Sequence, residues 1–121
     1  DIVHRSRGYD VLPDKVEMIV LVDRGSASAS EILAGALQPH GIAKRIGTNT
    51  FGKGSVQELV PITPETSLKI TVARWLQPSG TQIPNDGIPP DTIATTTEAF
   101  IKEGRDTQME KAVEMLGGRN E

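Results

Sequence analysis

The pattern of apolar and polar residues along the chain predicts short strands alternating with helices. An apolar run at residues 16–22 has the length of a buried strand. Apolar residues then recur at helical spacing from residue 29 to about residue 39, and Gly41 is a suitable stop for that helix. Residues 66–76 alternate between apolar and polar side chains, which predicts a second well-defined strand.

Shorter elements complete the pattern. Strands or extended segments are predicted at residues 2–4, 43–46, 55–62, 81–83 and 92–96, with a turn at residues 78–80. Residues 107–116 form an amphipathic helical pattern that Asp106 or Thr107 would cap. The whole pattern predicts a mixed α/β domain without internal repeats.

Composition removes several classes of function. The net charge is −3, from 13 basic and 16 acidic residues with no block of like charge, and aromatic residues make up 3% of the chain. We therefore expect no nucleic-acid partner. The chain has no cysteine, and its two histidines, His4 and His40, are not at ligand spacing. We therefore predict no metal site, and nothing in the sequence implies a cofactor.

The candidate chemistry lies in two short segments. Ser28 stands in a run of small residues at the predicted start of a helix, and Lys53 stands between Gly52 and Gly54. A serine hydroxyl needs a base to become a nucleophile, and a lysine serves as that base when burial favours its neutral form. Serine–lysine pairs are known variants of the catalytic triad. Gln57, four residues after Lys53, would share its face in an extended segment and orient the amine.

The same residues also have purely structural interpretations. Ser28 and Glu31 have the spacing of a capping box, in which the serine caps the helix and the glutamate bonds back to the serine amide. Ser26 and Ser30 compete with Ser28 for any chemical role. Lys53 would otherwise be a solvated turn lysine, and Gln57 a surface residue of a strand.

Two other kinds of site match parts of the sequence, a phosphate-binding loop and a serine–histidine hydrolase. Residues 47–53 match the G-x-x-x-x-G-K pattern of a phosphate-binding loop, which would make the chain a nucleotide binder. That loop requires serine or threonine after the lysine and a following helix, whereas Gly54 and a predicted strand follow here. A serine–histidine hydrolase would need His40, but the predicted helix separates it from Ser28 by about 18 Å.

Four segments, in order, resemble the C-terminal processing peptidases, also called tail-specific proteases. They are GSASASEILAGAL (25–37), GTNTFGKGSVQ (47–57), LKITVARWLQPSG (68–80) and GIPPD (87–91). The resemblance spans roughly residues 17–94. It implies a partial crotonase- or Clp-protease-like core of stacked strands and helices, and a serine endopeptidase that cleaves proteins near their C-termini.

The resemblance also implies a role for each matching residue. Ser28 would be the nucleophile, Lys53 the general base, Gln57 the support of that lysine, and the Ala29 amide an oxyanion-hole donor. It implies a protein or peptide substrate, no cofactor, and a parent protein in the periplasm, the cell envelope or an equivalent lumen. Peripheral membrane association of the parent is compatible with such a location.

The sequence departs from the family pattern in two ways. Pro39 stands where the family often has an acidic residue before the position of His40. The family's PDZ module and upstream half of the core, with a D-L-R-x-N-x-G-G-like segment, have no counterpart here. We therefore interpret residues 1–121 as the C-terminal part of a protease core, inactive alone and prone to homo-oligomerise. The alternative is a catalytically inactive interaction or oligomerisation fragment of such a protease.

Overall fold

The computed structural model describes residues 5, 8 and 16–118, and the strand predicted at residues 2–4 lies outside these residues. In chain order the elements are β1 (Met18–Val22), α1 (Ala29–Leu37), β2 (Ala43–Gly47), β3 (Ser55–Thr63), β4 (Thr66–Arg74), β5 (Thr92–Ile93), α2 (Glu98–Lys102) and α3 (Thr107–Met115). Within residues 16–118, no helix is long and apolar enough to cross a membrane.

A parallel sheet of three strands carries the core. Its order is β1-β2-β5, with Val20 opposite Arg45 and Ile46 opposite Thr92. Helix α1 contacts β2, and α3 contacts both β1 and β2. Four of the five residues of β2 are buried, as expected for a parallel strand covered by helices. The buried apolar residues are Val22, Ala34, Ala43, Ile46, Ile83, Ile88 and Ala112.

Strands β3 and β4 form a separate antiparallel hairpin, joined at Pro64 and Glu65. The register shifts between Val56 and Gln57, where a bulge interrupts the ladder. Every residue of β4 is exposed. The hairpin therefore contributes almost nothing to the core of the described residues.

The mixed α/β fold predicted from the pattern is confirmed, with differences in the short elements. The segment at residues 81–83 forms only a single bridge, between Gln82 and Leu76, and the extended segment at 92–96 pairs over two residues. Helix α2 was not predicted, because a single turn shows no apolar period. The Asp106 side chain caps α3 by accepting hydrogen bonds from the amides of Gln108 and Met109. The N-cap is therefore Asp106 and not Thr107.

Candidate active site

Three loops meet beside the carboxyl ends of the parallel strands, where ligand sites of open α/β sheets usually lie. They are residues 23–28 after β1, 48–54 after β2, and 84–91 before β5. The Arg24 guanidinium donates to the carbonyl oxygens of Thr50 and Asp86, both at 3.3 Å. The Phe51 amide donates to the Ser26 carbonyl at 2.9 Å. The loops that carry Ser28 and Lys53 are therefore bonded to each other.

Ser28 has an unusual backbone conformation. Its φ of 56° and ψ of −113° make it the one non-glycine residue with positive φ in the described part of the chain. Such a conformation is costly for a residue with a Cβ, and strained turns of this kind often present a nucleophile at a strand-to-helix junction. The Ser28 side chain is exposed, and the next amide, Ala29, makes no hydrogen bond to a described residue.

The capping box between Ser28 and Glu31 is also present. The Ser28 hydroxyl lies against the Glu31 amide, although that amide donates to the Ser28 carbonyl oxygen at 3.0 Å. In return, the Glu31 carboxylate accepts a hydrogen bond from the Ser28 amide at 3.0 Å. The structural role of Ser28 and a chemical role are thus compatible, since the cap is formed largely by the backbone and Glu31.

Glu31 is the centre of the junction between the loops. It is fully buried, at 0% exposure, on the face of α1 that also buries Ala34. One carboxylate oxygen, Oε1, accepts from the Thr50 hydroxyl at 2.5 Å and from the Gly52 amide at 2.7 Å. The other, Oε2, accepts from the amides of Ser28 at 3.0 Å and Lys53 at 2.8 Å. A single oxygen atom therefore holds the backbones of both predicted catalytic residues.

The surroundings of Glu31 favour its charged form. Burial acts to raise its pKa, because a carboxylate loses its hydration. The hydrogen bonds from the Thr50 hydroxyl and from the amides of Gly52, Lys53 and Ser28 outweigh burial and lower the pKa below its usual value. The site therefore contains a buried negative charge that is held by hydrogen bonds.

The glycines around Lys53 serve close backbone approaches. Gly52 has φ of +94°, and a Cβ there would lie 2.2 Å from the Asn85 carbonyl oxygen. The same holds for Gly87, where a Cβ would lie 2.1 Å from the Thr50 carbonyl oxygen. Loops 48–54 and 84–91 pack so tightly here that side chains are excluded.

The side chains of Lys53 and Gln57 are both exposed. The described residues therefore do not bury the lysine amine. The register shift beside Gln57 leaves Val72 of β4 unpaired, so the extra residue belongs to β4, and the placement of Gln57 on the Lys53 face stays a prediction. The roles of Ser28, Ala29, Lys53 and Gln57 remain predictions that rest on resemblance and on the backbone geometry of the junction.

Neither rival site has the required geometry. The segment at residues 47–53 continues into β3 and not into a helix, and the amides of Gly52 and Lys53 already donate to the Glu31 carboxylate, so they are not open to a phosphate. His40 is exposed in the turn after α1, and the nine-residue helix Ala29–Leu37 separates it from Ser28. Over residues 16–118, no group of three His, Cys, Asp or Glu side chains is placed to hold a metal ion.

Sequence reasoning missed the central position of Glu31, which it treated only as half of a capping box. It also gave no role to Thr50 and Arg24. A signal was present for Glu31, because helical spacing places it on the buried face with Ala34. A carboxylate on that face must find several donors, since a buried charge without partners is very costly.

A model of the peptidase family S41 matches residues 4–94, which is more than half of the chain. The chain therefore belongs to peptidase family S41. A carboxy-terminal-processing protease of Bartonella bacilliformis is 52% identical over 82 residues, covering 68% of this chain and 19% of that protein. A chloroplastic carboxyl-terminal-processing peptidase of Arabidopsis thaliana is 49% identical over 94 residues, covering 78% of this chain and 18% of that protein.

Solved structures give the same result. The photosystem II D1 C-terminal processing protease superposes with a TM-score of 0.60 at 42% identity, over 65% of this chain and 20% of that one. The tricorn protease superposes with a TM-score of 0.69 over 95% of this chain and 12% of that one, but its 20% identity supports the fold alone. The predicted family and α/β core are confirmed. The matched region spans about a fifth of the length of these curated relatives.

Proposed function

We propose that the chain supplies the nucleophile and the base of a serine endopeptidase that cleaves protein substrates near their C-termini. The observation that carries this proposal is the shared Glu31 oxygen, which accepts hydrogen bonds from the amides of both Ser28 and Lys53. The backbones at Ser28 and Lys53, which are 25 residues apart in the sequence, are thereby bonded to one atom, which supports their pairing. The strained backbone of Ser28 supports its role as the nucleophile.

In the proposed reaction, the Ser28 hydroxyl oxygen attacks the scissile carbonyl carbon while neutral Lys53 accepts the hydroxyl proton. Lys53 then gives that proton to the leaving amine, and the substrate acyl group remains as an ester on Ser28 until water hydrolyses it. The Ala29 amide, which bonds to none of the described residues, lies at the start of α1 and donates to the developing oxyanion. Gln57 holds the lysine amine in place.

The remainder of the protease core supplies what the described residues lack. Lys53 is exposed, so a covering surface must come from elsewhere before the amine loses its contact with water. The exposed hairpin provides apolar side chains against which such a surface would pack. On this proposal, residues 1–121 are the C-terminal part of the core, and a second oxyanion donor comes from the upstream part.

We place the parent protein in the bacterial cell envelope or an equivalent lumen. Peripheral contact of the parent protein with a membrane is compatible with that location. The support is the set of relatives, which are bacterial or carry the description chloroplastic. The resemblance extends this location to the periplasm. Its test is fractionation of cells that produce the full-length protein.

A second candidate is an interaction fragment that assembles without cutting. The observation that favours it is the exposed apolar surface of the hairpin, together with the exposed Lys53 side chain. Open strand edges and apolar faces tend to pair with another chain. On this alternative the chain forms dimers or larger assemblies and has no peptidase activity in any context.

The test is a set of three serine variants in the full-length protease. Ser28→Ala is expected to abolish peptide cleavage, because no other group replaces the nucleophile. Ser26→Ala, in the same loop, and Ser30→Ala, in the first turn of α1, are matched controls and should retain measurable turnover. Cleavage at the wild-type rate by Ser28→Ala would refute the assignment, and an inactive wild-type protease would favour the interaction fragment.

A further inference from the structure

Thr50 is a fully buried polar residue to which the proposed mechanism assigns no role. It lies in the loop between β2 and β3 at 0% exposure. Its hydroxyl donates to Glu31 Oε1 at 2.5 Å and accepts from the Ile88 amide at 2.7 Å. Its amide donates to the Ile88 carbonyl at 3.2 Å, and its carbonyl accepts from Arg24 at 3.3 Å. Every polar atom of Thr50 is thus hydrogen-bonded within the junction.

The direction of the hydroxyl proton is fixed by these partners. A threonine hydroxyl has one proton to donate and lone pairs that accept. The Ile88 amide can only donate, so it takes a lone pair, and the proton is directed to the Glu31 carboxylate. A distance of 2.5 Å is typical of a charge-assisted bond from a hydroxyl to a carboxylate.

The bonds form a continuous path between the loops. It runs from the Ile88 amide through the Thr50 hydroxyl to the Glu31 carboxylate, and from there to the amides of Ser28 and Lys53. The bond from the Thr50 amide to the Ile88 carbonyl and the close approach of Gly87 keep loop 84–91 in register with this path. The Thr50 hydroxyl and the Gly52 amide bind Oε1 of the carboxylate together, and the hydroxyl is the one side-chain donor among its four partners.

We propose that Thr50 is a positioning residue of the protease. Its hydroxyl fixes the rotation of the Glu31 carboxylate, and through Oε2 it fixes the relative placement of Ser28 and Lys53. The catalytic consequence rests on the proposed function, whereas the effect on the backbone amides does not. Small misplacements of reacting groups lower rates strongly, so the hydroxyl matters more than its distance from the substrate suggests.

The hydroxyl can be separated from the shape of the side chain by substitution. Thr50→Val keeps the shape but leaves the Ile88 amide without an acceptor and leaves Glu31 Oε1 with one donor, the Gly52 amide. Such a loss is costly when the groups are buried. Thr50→Ser keeps the hydroxyl and loses a methyl group. Thr96→Val is the matched control, because Thr96 is half-buried and its hydroxyl bonds to Thr107, away from Glu31.

The first measurement is steady-state kinetics of the full-length protease. Thr50→Val is expected to lower kcat at least about tenfold with little change in KM, since the loss falls on the placement of the reacting groups. Thr50→Ser should restore kcat to within about threefold of wild type, and Thr96→Val should leave it unchanged. Equal losses in the serine and valine variants, or none in the valine variant, would overturn the proposal.

The second measurement does not depend on catalysis. Hydrogen exchange followed by mass spectrometry is expected to show faster exchange of the segments containing Ser28, Gly52–Lys53 and Ile88 in Thr50→Val, and wild-type exchange in Thr50→Ser. Unchanged exchange in the valine variant would overturn the proposal even in an active enzyme. If Ser28→Ala is fully active, the proposed function fails, while these exchange rates still decide the role of Thr50.

A third variant covers the case in which Thr50→Val does not fold. Thr50→Cys has a weaker donor of similar shape. Its kcat and its exchange rates should lie between those of Thr50→Ser and those expected of Thr50→Val. A cysteine variant with wild-type kcat and wild-type exchange would overturn the proposal.

Discussion

The loop junction around Glu31 and the β3–β4 hairpin differ in almost every respect. Glu31 and Thr50 are both 0% exposed, and the carboxylate of Glu31 has four hydrogen-bond donors. In the hairpin, Leu59 is 66% exposed and Ile62 is 64% exposed, and no residue of β4 is buried. A charged carboxylate is thus buried, while several apolar side chains of the hairpin are exposed.

This contrast separates what the described residues complete from what they leave open. Cross-strand pairing places Val60 beside Leu68, and Ile70 and Val72 continue the same face. A two-stranded hairpin is marginally stable in water, so this apolar face calls for a covering surface. The described residues hold the backbone of the proposed site in place, but they do not shield the Lys53 side chain from water.

Lys53 lies where the two regions join, and it provides the test with the largest expected effect. Its amide belongs to the junction, while its side chain is exposed beside the start of the hairpin. In the full-length protease, Lys53→Arg should lower the cleavage rate by about 10²–10⁴-fold, because a guanidinium stays protonated and cannot act as a base.

Lys69→Arg is the matched control, since Lys69 is an exposed residue of β4 on the same hairpin. It should leave the cleavage rate unchanged. An active Lys53→Arg enzyme would contradict the role of Lys53.

The second prediction concerns the 121 residues on their own. They contain one proposed oxyanion donor, Ala29, and losing a second donor typically lowers the rate by about a hundredfold or more. We therefore expect the chain alone to cleave peptide at least about a hundredfold more slowly than the full-length protease. Light scattering should show a dimer or larger assembly, because the hairpin face and edges are open. A monodisperse monomer that cleaves peptide as fast as the full-length protease would contradict the view that the hairpin side of the chain is incomplete.

The same contrast explains how far the sequence could be read. Strands β1 and β4 and helix α1 follow from apolar periodicity, and the motif residues Ser28 and Lys53 follow from resemblance. The exposure of both faces of β4 could not be predicted, because alternation shows which residues share a face but not whether anything covers that face. The position of Glu31 depends on donors from two separate loops, 23–28 and 48–54, and local patterns do not report the contacts with the second of them.

The third prediction perturbs the junction directly. In Glu31→Gln, the amide group of glutamine would face donors that now bind a carboxylate, so at least one of them loses its acceptor. We expect a loss of about 2–4 kcal/mol in the free energy of unfolding, measured by chemical denaturation at neutral pH. Glu110→Gln removes an exposed carboxylate that pairs with Arg105, and it should remain close to wild type. Equal stabilities of the two variants would contradict the central role of Glu31.

The pH dependence of this effect has a definite sign. The folded-state pKa of Glu31 is lowered, because the Thr50, Gly52, Lys53 and Ser28 bonds outweigh the opposing effect of burial. Its contribution to stability is therefore complete above the unfolded pKa of about 4.3 and is lost as the pH falls through the folded value. The stability difference between wild type and Glu31→Gln should narrow in acid. A difference that stays constant down to the acid unfolding transition would argue against an ionised Glu31.

The smallest effect is expected on the hairpin. Ile70→Thr keeps a β-branched side chain on an exposed strand, so in the isolated chain it should change the free energy of unfolding by no more than about 0.5 kcal/mol. In the full-length protease the same substitution should cost about 1 kcal/mol or more, because there the face is covered and apolar area is lost from the interface. The measurement is paired denaturation of wild type and variant in both contexts, and Thr71→Ser on the opposite face is the control. Equal, small losses in the free energy of unfolding in both contexts would show that no surface covers the hairpin. The hairpin would then need no partner, as the junction around Glu31 needs none.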